Sequence, residues 1–240
     1  MNDDATDINL QQDDNLRFSH MEIPEPLRGL LEGDSWRSFL DLGCGDGGLL
    51  LALEQAGFFD YASQEVHGVD LSANRVARMK QLCPSVHGHV GSVCEPLSIE
   101  AGSIDLLAST MVLEHVPDDS KMLAEIARLL APGGRAYIST VFKKPWAWYY
   151  YRAHGQWVLD PTHRREYRDE APVLRALQAA GLAVELSCKT PMWFPVMDFI
   201  FRRLRRPGIY ARPLWSKLRA LKVPICGYRT WELVCYKPGQ

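Results

Sequence analysis

Short apolar runs alternate along the chain with stretches of helical periodicity. The runs predict strands at residues 39–42, 66–70, 87–90, 103–109 and 135–141. Apolar positions spaced as on one helix face predict a helix over residues 118–130, and the Pro-Gly-Gly turn behind it ends that helix. A second helix over residues 171–181 and strands at 182–188 and 231–236 complete the pattern. Strands that alternate with helices predict an α/β fold, a doubly wound three-layer sandwich around a mostly parallel seven-stranded sheet whose last strand is antiparallel.

The turn behind the first strand, Asp41-Leu-Gly-Cys-Gly-Asp-Gly-Gly48, is rich in glycine and leads into an apolar, helix-compatible run. Such strand–turn–helix segments hold nucleotide-like cofactors, because glycine permits positive φ and close approach of the backbone to a ligand. Two interpretations are open. Gly43-x-Gly45-x-x-Gly48 fits a dinucleotide fingerprint, whereas Asp41-x-Gly43-x-Gly45-x-Gly47 fits a turn that holds S-adenosylmethionine. Asp41 favours the second, because a carboxylate repels a pyrophosphate and attracts an ammonium and a sulfonium.

Further cofactor contacts are predicted where later strands end. Asp70 ends the second strand, where a carboxylate can accept both hydroxyls of a ribose; the competing interpretation is that Asp70 caps the helix that begins near Ser72. Ser92 and Val93 follow the third strand, at the expected position of an adenine edge. The full predicted cofactor set is Asp41, Gly43, Cys44, Gly45, Gly47, Asp70, Leu71, Ser92, Val93, Ser109 and Thr110.

Four motifs in order resemble the class I S-adenosylmethionine-dependent methyltransferases, in particular the type 11 group. They are the glycine turn, Asp105 with Leu113-Glu-His-Val116, Leu130-x-Pro-Gly-Gly134, and His163-x-Arg-Glu-Tyr167. The resemblance covers roughly residues 38–186 and implies the fold and the cofactor, but it says little about the substrate. Ser92 departs from the pattern, because many relatives carry an aspartate there that reaches the adenine amino group.

A hydroxyl or carbon-acid acceptor also needs a general base. The candidates are His115, His163 and Tyr167, with Glu166 beside them. A histidine has the right ordinary pKa for proton abstraction near neutrality. The alternative is structural: His115 packs beneath the cofactor, and residues 163–167 fix a loop onto the sheet.

Composition narrows the function classes. A net charge of −2 gives no strong field toward nucleic acid, so a nucleic-acid partner is not expected. The six cysteines form no C-x-x-C pair, which indicates thiols in a reducing compartment, and no metal site is predicted, although His87-x-His89 points two imidazoles the same way. The acidic, polar start predicts a disordered tail over residues 1–15, no signal peptide and a cytoplasmic location.

Residues 16–240 are predicted to form one domain with two inserts. The insert at residues 143–168 holds six tryptophans and tyrosines from Trp146 to Trp157, which either contact an acceptor, cofactor or membrane or form a small satellite core. Residues 190–228 combine bulky apolar side chains with many Arg and Lys, and no acid occurs between Phe199 and Trp231. That pattern fits an anionic membrane surface at the inner membrane face, a substrate cap, or contact with RNA or another anion.

The sequence therefore predicts a methyltransferase that acts on a small or lipid-linked, amphipathic acceptor. Two alternatives stay open. One is a nicotinamide-dependent oxidoreductase, from the dual interpretation of the glycine turn. The other is a non-catalytic methyltransferase-like scaffold that docks at a membrane.

Overall fold

Strands and helices alternate along the chain as the hydrophobic pattern predicts. The computed structural model describes residues 22–33, 35–149, 151–153, 155–195 and 221–239. Its helices are α1 (Glu25–Gly33), α2 (Gly48–Gln55), α3 (Ala73–Leu82), α4 (Asp119–Leu129) and α5 (Ala171–Ala179). Its strands are β1 (Ser38–Leu42), β2 (Glu65–Asp70), β3 (His87–Val90), β4 (Ile104–Thr110), β5 (Leu130–Lys143), β6 (Tyr151–Ala153), β7 (Gln156–Val158), β8 (Ala183–Pro195) and β9 (Lys222–Tyr236).

Seven of the described strands form one sheet in the order β3-β2-β1-β4-β5-β9-β8. The first five are parallel, and β9 runs antiparallel to both of its neighbours. The predicted doubly wound, mostly parallel sheet with an antiparallel last strand is confirmed. The chain reverses direction across the sheet between β1 and β4, and ligands of open α/β sheets bind at the carboxyl ends of the strands beside such a switch point.

Neighbouring residues of the central strands face opposite cores. Phe39 and Leu106 belong to a core with α1, α2 and α3, whereas Leu40 and Leu107 belong to a core with α4 and α5. All five residues of β1 are buried, as expected for a strand covered by helices on both faces. The sheet is thus the middle of three layers.

Side chains at the helix starts fix where two connections end. The Ser72 hydroxyl accepts a hydrogen bond from the Arg75 N–H (3.3 Å) and caps α3. The Asp118 carboxylate does the same for α4, with the Lys121 N–H 3.1 Å away. Each helix therefore begins directly behind the carboxyl end of a strand or the turn that follows it.

The last two strands are longer than predicted. The sequence predicted strands at 182–188 and 231–236, but β8 and β9 pair from Ala183↔Tyr236 to Pro195↔Lys222, with register shifts between Val184 and Leu186 and between Pro191 and Trp193. The insert at 190–228 thus begins and ends as strand. Strands with one unpaired edge tolerate proline, and β9 continues past Tyr228, where its pairing with β5 stops.

The described parts of the two inserts contact each other. The N–H groups of Lys144 and Trp148 donate to the carbonyls of Gly227 (2.9 Å) and Cys226 (3.2 Å) on β9. An alanine-sized side chain at Gly227, which has φ +73°, would lie 2.5 Å from the Ala147 Cα, so only glycine permits this approach. Behind the contact lies a small core of Val141, Ala147 and Tyr228, with Met111, Tyr149, Leu159, Met192 and Ile225 packed against it.

Aromatic residues of the first insert divide between two environments. Tyr149 packs against Tyr228 in the small core, whereas Trp146 and Trp148 are 64% and 54% exposed. Tyr149 therefore belongs to a satellite core, whereas contact of the exposed tryptophans with an acceptor, cofactor or membrane stays a prediction.

Several predictions fall outside the described residues. They are the tail at 1–15 and the basic stretch at 196–220. Among the helices that the structure describes, none has both the length and the hydropathy to cross a membrane.

Candidate active site

The glycine turn closes at the carboxyl ends of β1 and β2. The N–H groups of Gly43 and Cys44 both donate to the carbonyl of Val69 (2.8 Å each), which fastens the turn to β2. Gly43, Gly45 and Gly47 have φ of +88°, +53° and +84°. The turn therefore needs glycine at three alternate positions.

The surroundings of the three glycines differ. A Cβ at Gly43 would lie 2.3 Å from Val112 Cγ2, and one at Gly47 would lie 2.7 Å from Met79 Cγ. Both positions are closed by the protein's own packing. No heavy atom lies within 4 Å of a Cβ built on Gly45, so this position opens onto the space in which a ligand can lie.

Asp41 is buried, with 1% of its surface exposed, and its Oδ1 has no hydrogen-bond partner among the described residues. Burial, and secondarily the nearby charge of Asp70, raises the pKa of Asp41 to about 7. A buried carboxylate oxygen without a partner is costly unless a donor or a cation meets it. This is the strongest single sign of a cationic ligand at the turn.

Asp70 connects the second strand to the glycine turn. Its carboxylate accepts hydrogen bonds from the N–H of Gly45 (3.0 Å) and of Ser72 (2.9 Å). The cap of α3 is Ser72 itself, so Asp70 holds the turn while its own position at the end of β2 suits a ribose. Below the turn, Asp46 and Arg78 form an ion pair at 2.8 Å.

The other predicted cofactor residues surround this turn. Cys44 is buried, and burial raises the pKa of its thiol. Its Sγ would touch a Cβ built on Gly68, so the side chain packs against β2. Leu71 is 47% exposed at the end of β2, where an apolar side chain can cover a flat base. Val93 is buried, and Ser92 accepts a hydrogen bond from the Cys94 N–H (3.2 Å).

Two predicted residues end β4. The Ser109 hydroxyl is buried and donates to the Leu42 carbonyl (2.9 Å), so it ties β4 to β1. Thr110 is half-buried at the strand end. Met111 follows with φ +56°, a conformation costly for a residue with a side chain, and it is the described non-glycine residue that adopts positive φ.

The turn behind β4 reaches both the cofactor turn and a second cluster. Val112 contacts Gly43, and three residues later His115 packs edge-to-face on His163, with ring centroids 4.8 Å apart. The carbonyl of Glu114 accepts the N–H groups of Arg164 (3.0 Å) and Arg165 (3.3 Å), which brings the two segments together. The two motifs are thus adjacent in space although 47 residues separate His115 from Thr162.

Glu114 is a residue of this cluster to which the sequence assigned no role. It is fully buried; its Oε2 accepts a hydrogen bond from the Thr140 hydroxyl (2.8 Å), and its Oε1 has no partner among the described residues. Burial raises the pKa of its carboxyl, partly offset by His163. The sign in the sequence that could have pointed to Glu114 is an acid that follows the apolar residues Met111 to Leu113.

His163 and Glu166 belong to a chain of polar contacts. His163 Nδ1 lies 3.1 Å from Glu166 Oε1, and Glu166 Oε2 accepts from Lys143 Nζ (2.8 Å) and the Tyr228 hydroxyl (3.1 Å). Hydrogen bonds from His163, Lys143 and the Leu159 N–H hold the pKa of Glu166 below its usual value despite burial. Glu166 therefore holds the side chains of His163, Lys143 and Tyr228 in place.

Tyr167 lies on the far side of the same motif. Its hydroxyl donates to Asp119 Oδ2 (3.0 Å), and its ring packs on Trp231. Burial, with the charge of Asp119, raises the pKa of the phenol, so the phenolate needed by a base is disfavoured. The arrangement favours the structural interpretation of this residue.

Comparison with known proteins identifies the family. Residues 40–138 match the family model described as a methyltransferase domain, Methyltransf_11. The chain is 34% identical over 143 residues to a ubiquinone biosynthesis O-methyltransferase of Bordetella avium, covering 58% of this chain and 56% of that protein. It is 31% identical over 172 residues to the protein of the same name from Ralstonia nicotianae, covering 70% and 66%. The chain belongs to the class I S-adenosylmethionine-dependent methyltransferases, in the type 11 group.

Solved structures share the fold of this chain. A methyltransferase structure from Bacillus halodurans superposes with a TM-score of 0.61 at 14% identity, covering 90% of this chain and 100% of that one. A geranyl diphosphate methyltransferase, solved with GPP and sinefungin, gives a TM-score of 0.57 at 19% identity and covers 88% and 76%. The chain spans between about half and two thirds of the length of the two relatives from Bordetella and Ralstonia.

The residues present fit S-adenosylmethionine. Asp41 offers a buried carboxylate to a cation, Gly45 leaves open space, and Asp70 ends β2, where a carboxylate suits a ribose. A dinucleotide would bring a pyrophosphate against Asp41. The family and the geometry therefore agree on the cofactor, and the dinucleotide interpretation is set aside.

Proposed function

We propose that this protein transfers the methyl group of S-adenosylmethionine to a hydroxyl oxygen of a small, amphipathic acceptor. The observation that carries the proposal is the buried Asp41 carboxylate with its unpartnered oxygen beside an open glycine turn. The names of the relatives from Bordetella and Ralstonia support oxygen as the methylated atom.

In the reaction, the bound cofactor supplies an electrophilic methyl group on a sulfonium whose departure leaves a neutral thioether. Asp41, Gly45 and Asp70 hold and orient it. As the oxygen–carbon bond forms and the carbon–sulfur bond breaks, the acceptor hydroxyl loses its proton. We infer that the cluster of Glu114, His115 and His163, which adjoins the cofactor turn through Val112, promotes the loss of that proton. Alignment of the two reactants supplies most of the remaining acceleration.

The amphipathic character of the acceptor is inferred from the joined inserts. Trp146, Trp148 and Trp193 are more than half exposed, and Leu221 and Val223 are 63% and 45% exposed. Apolar side chains exposed together mark a surface that meets an apolar partner. We propose that this surface receives the hydrocarbon part of a lipid-linked acceptor at the membrane face, assisted by the basic stretch of residues 196–220.

Cofactor binding is tested by calorimetry on the full chain, with S-adenosylhomocysteine as the probe and NAD as the control. Micromolar binding of the first and none of the second is expected. The reverse selectivity would refute the proposed cofactor.

Activity is tested with S-adenosylmethionine labelled in its methyl group and a phenolic acceptor with or without an alkyl chain. Faster labelling of the alkylated phenol, increased further by vesicles containing anionic lipid, is expected. Binding of S-adenosylhomocysteine without labelling of either phenol would favour the non-catalytic scaffold. Equal labelling of both phenols would contradict the lipid-linked acceptor.

A further inference from the structure

Three side chains of different segments converge behind β4. Glu114, His115 and His163 each offer one ligand atom, and these atoms all lie within 4.8 Å of one another. Glu114 and His115 come from the turn that follows β4, and His163 comes from the segment before α5. Backbone hydrogen bonds from Arg164 and Arg165 to the Glu114 carbonyl hold the two segments in place.

The hydrogen bonds of both imidazoles indicate which nitrogen carries the proton. His115 Nδ1 faces the Thr162 carbonyl (3.3 Å) and the Thr162 hydroxyl (3.2 Å). That hydroxyl donates its own proton to Asp160 Oδ1 (2.7 Å), so His115 Nδ1 is the donor. His163 Nδ1 faces the Glu166 carboxylate and is a donor too. In both rings the lone pair is therefore on Nε2, the arrangement that carboxylates and carbonyls impose on metal-binding histidines.

Glu114 supplies an independent sign of a ligand. Its side chain is fully buried, and Oε1 has no partner among the described residues although Oε2 is bonded to Thr140. Burying a carboxylate with one unpaired oxygen is unfavourable unless a positive charge meets it. A cation bound between Glu114 and the two histidines meets that requirement.

We propose that Glu114, His115 and His163 bind a divalent transition-metal ion, Zn²⁺ or one of similar size. Two imidazole nitrogens and one carboxylate oxygen are a donor set that such ions take, and three protein ligands leave a coordination position open for an outside oxygen. The sequence predicted no metal, because Glu114 and His115 are adjacent in the chain and His163 is 48 positions away, a spacing with no recognised ligand pattern.

The metal's role rests on the proposed function. An ion with an open position lowers the pKa of a hydroxyl that binds it, and the acceptor would then reach the methyl group as an oxyanion. His115 and His163 would hold the ion, and the proton of the hydroxyl would pass to solvent. The metal site itself, however, is measured without acceptor or cofactor.

The test uses the full chain after treatment with a chelator. Zn²⁺ is titrated by calorimetry, and Co²⁺ is followed by its visible absorption, which reports coordination by protein ligands. The variants are Glu114→Gln and His163→Gln. The matched control is His89→Gln, because His89 belongs to a separate histidine cluster on β2 and β3, where its Nε2 lies 3.2 Å from His67 Nδ1.

We expect one ion per chain in the parent protein and in His89→Gln. Each ligand variant should bind Zn²⁺ more weakly by at least about 100-fold, the upper end of what loss of a mere outer hydrogen-bond partner costs. Binding of S-adenosylhomocysteine should persist in all three variants, which shows that they fold. Equal Zn²⁺ affinity in the parent and both ligand variants would overturn the proposal, as would loss of binding in His89→Gln alone.

The outcome separates this inference from the proposed function. A chain that binds Zn²⁺ through Glu114 and His163 but methylates no acceptor keeps the site and refutes the function. A chain that methylates phenols equally well with and without chelator keeps the function and refutes the metal's role.

Discussion

The N–H of Gly45 donates to the carboxylate of Asp70 across 3.0 Å, so the turn behind β1 is held by the side chain that ends β2. The carboxylate that we propose to bind the ribose thus also fixes the backbone of the glycine turn. Binding and folding of the turn are coupled through this one bond.

Replacing Asp70 by asparagine should weaken cofactor binding and loosen the turn together. The amide of Asp70→Asn cannot accept from both Gly45 and Ser72, and a hydrogen bond to a charged group is worth about 1.5–3 kcal/mol. We expect S-adenosylhomocysteine to bind at least about tenfold more weakly in calorimetry. The exposed Glu100→Gln should bind like the parent. An unchanged dissociation constant for the Asp70 variant would remove Asp70 from the site.

Asp41 should make the ligand-free protein less stable as pH rises. Its pKa is about 7 in the folded chain against an ordinary value of 3.8, so between these values the folded state binds a proton that the unfolded state has lost. The free energy of unfolding therefore falls from about pH 4 to about pH 7 and levels off above, by up to about 4 kcal/mol from this group. Asp41→Asn should flatten that slope in urea denaturation series. A parallel slope in parent and variant would show that Asp41 is not the group responsible.

Alanine at two glycines of the same turn should affect stability and cofactor affinity to different degrees. In Gly47→Ala the new methyl group meets Met79, and φ is +84°, so we expect a loss of stability of about 1–3 kcal/mol. In Gly45→Ala the methyl group lies in open space, so stability falls by only about 1–2 kcal/mol from the backbone conformation.

The difference between these two variants appears in cofactor affinity. Gly45→Ala should weaken S-adenosylhomocysteine binding more than its change in melting temperature explains, because its methyl group occupies ligand space. Calorimetry and thermal denaturation on both variants measure this. If Gly45→Ala binds as well as the parent, the ligand lies elsewhere.

Tyr167→Phe should affect stability rather than chemistry. The variant loses the hydrogen bond to Asp119 and keeps the packing on Trp231, so we expect it to cost about 1 kcal/mol. Its kcat should stay within about threefold of the parent, since general acid–base groups contribute about 100-fold or more. A loss of that size with an unchanged melting temperature would make Tyr167 a catalytic residue after all.

Local patterns predicted the sheet and the cofactor turn because both are written in short segments. The strand that became β3 has its predicted bounds, and Asp41, Gly45 and Asp70 lie together because parallel strands end at one edge. The predictions failed where contacts between distant segments determine the structure. The predicted strands stopped at Cys188 and started again at Trp231, but pairing between β8 and β9 extends, with two register shifts, to Pro195 and Lys222. Glu114 gave little signal, since its importance depends on burial and on His163 from a distant segment.

The contact of Gly227 with Ala147 has a consequence for protein engineering. Residues 143–168 and the paired strands β8 and β9 contact each other through their backbones. Neither segment can therefore be exchanged between relatives by itself without a steric clash at this contact. A chimaera intended to transfer acceptor selectivity would have to carry both pieces as one cassette, together with the glycine at their junction. Natural diversification of acceptors on this scaffold faces the same restriction, because changes in the two segments must arise in compatible pairs.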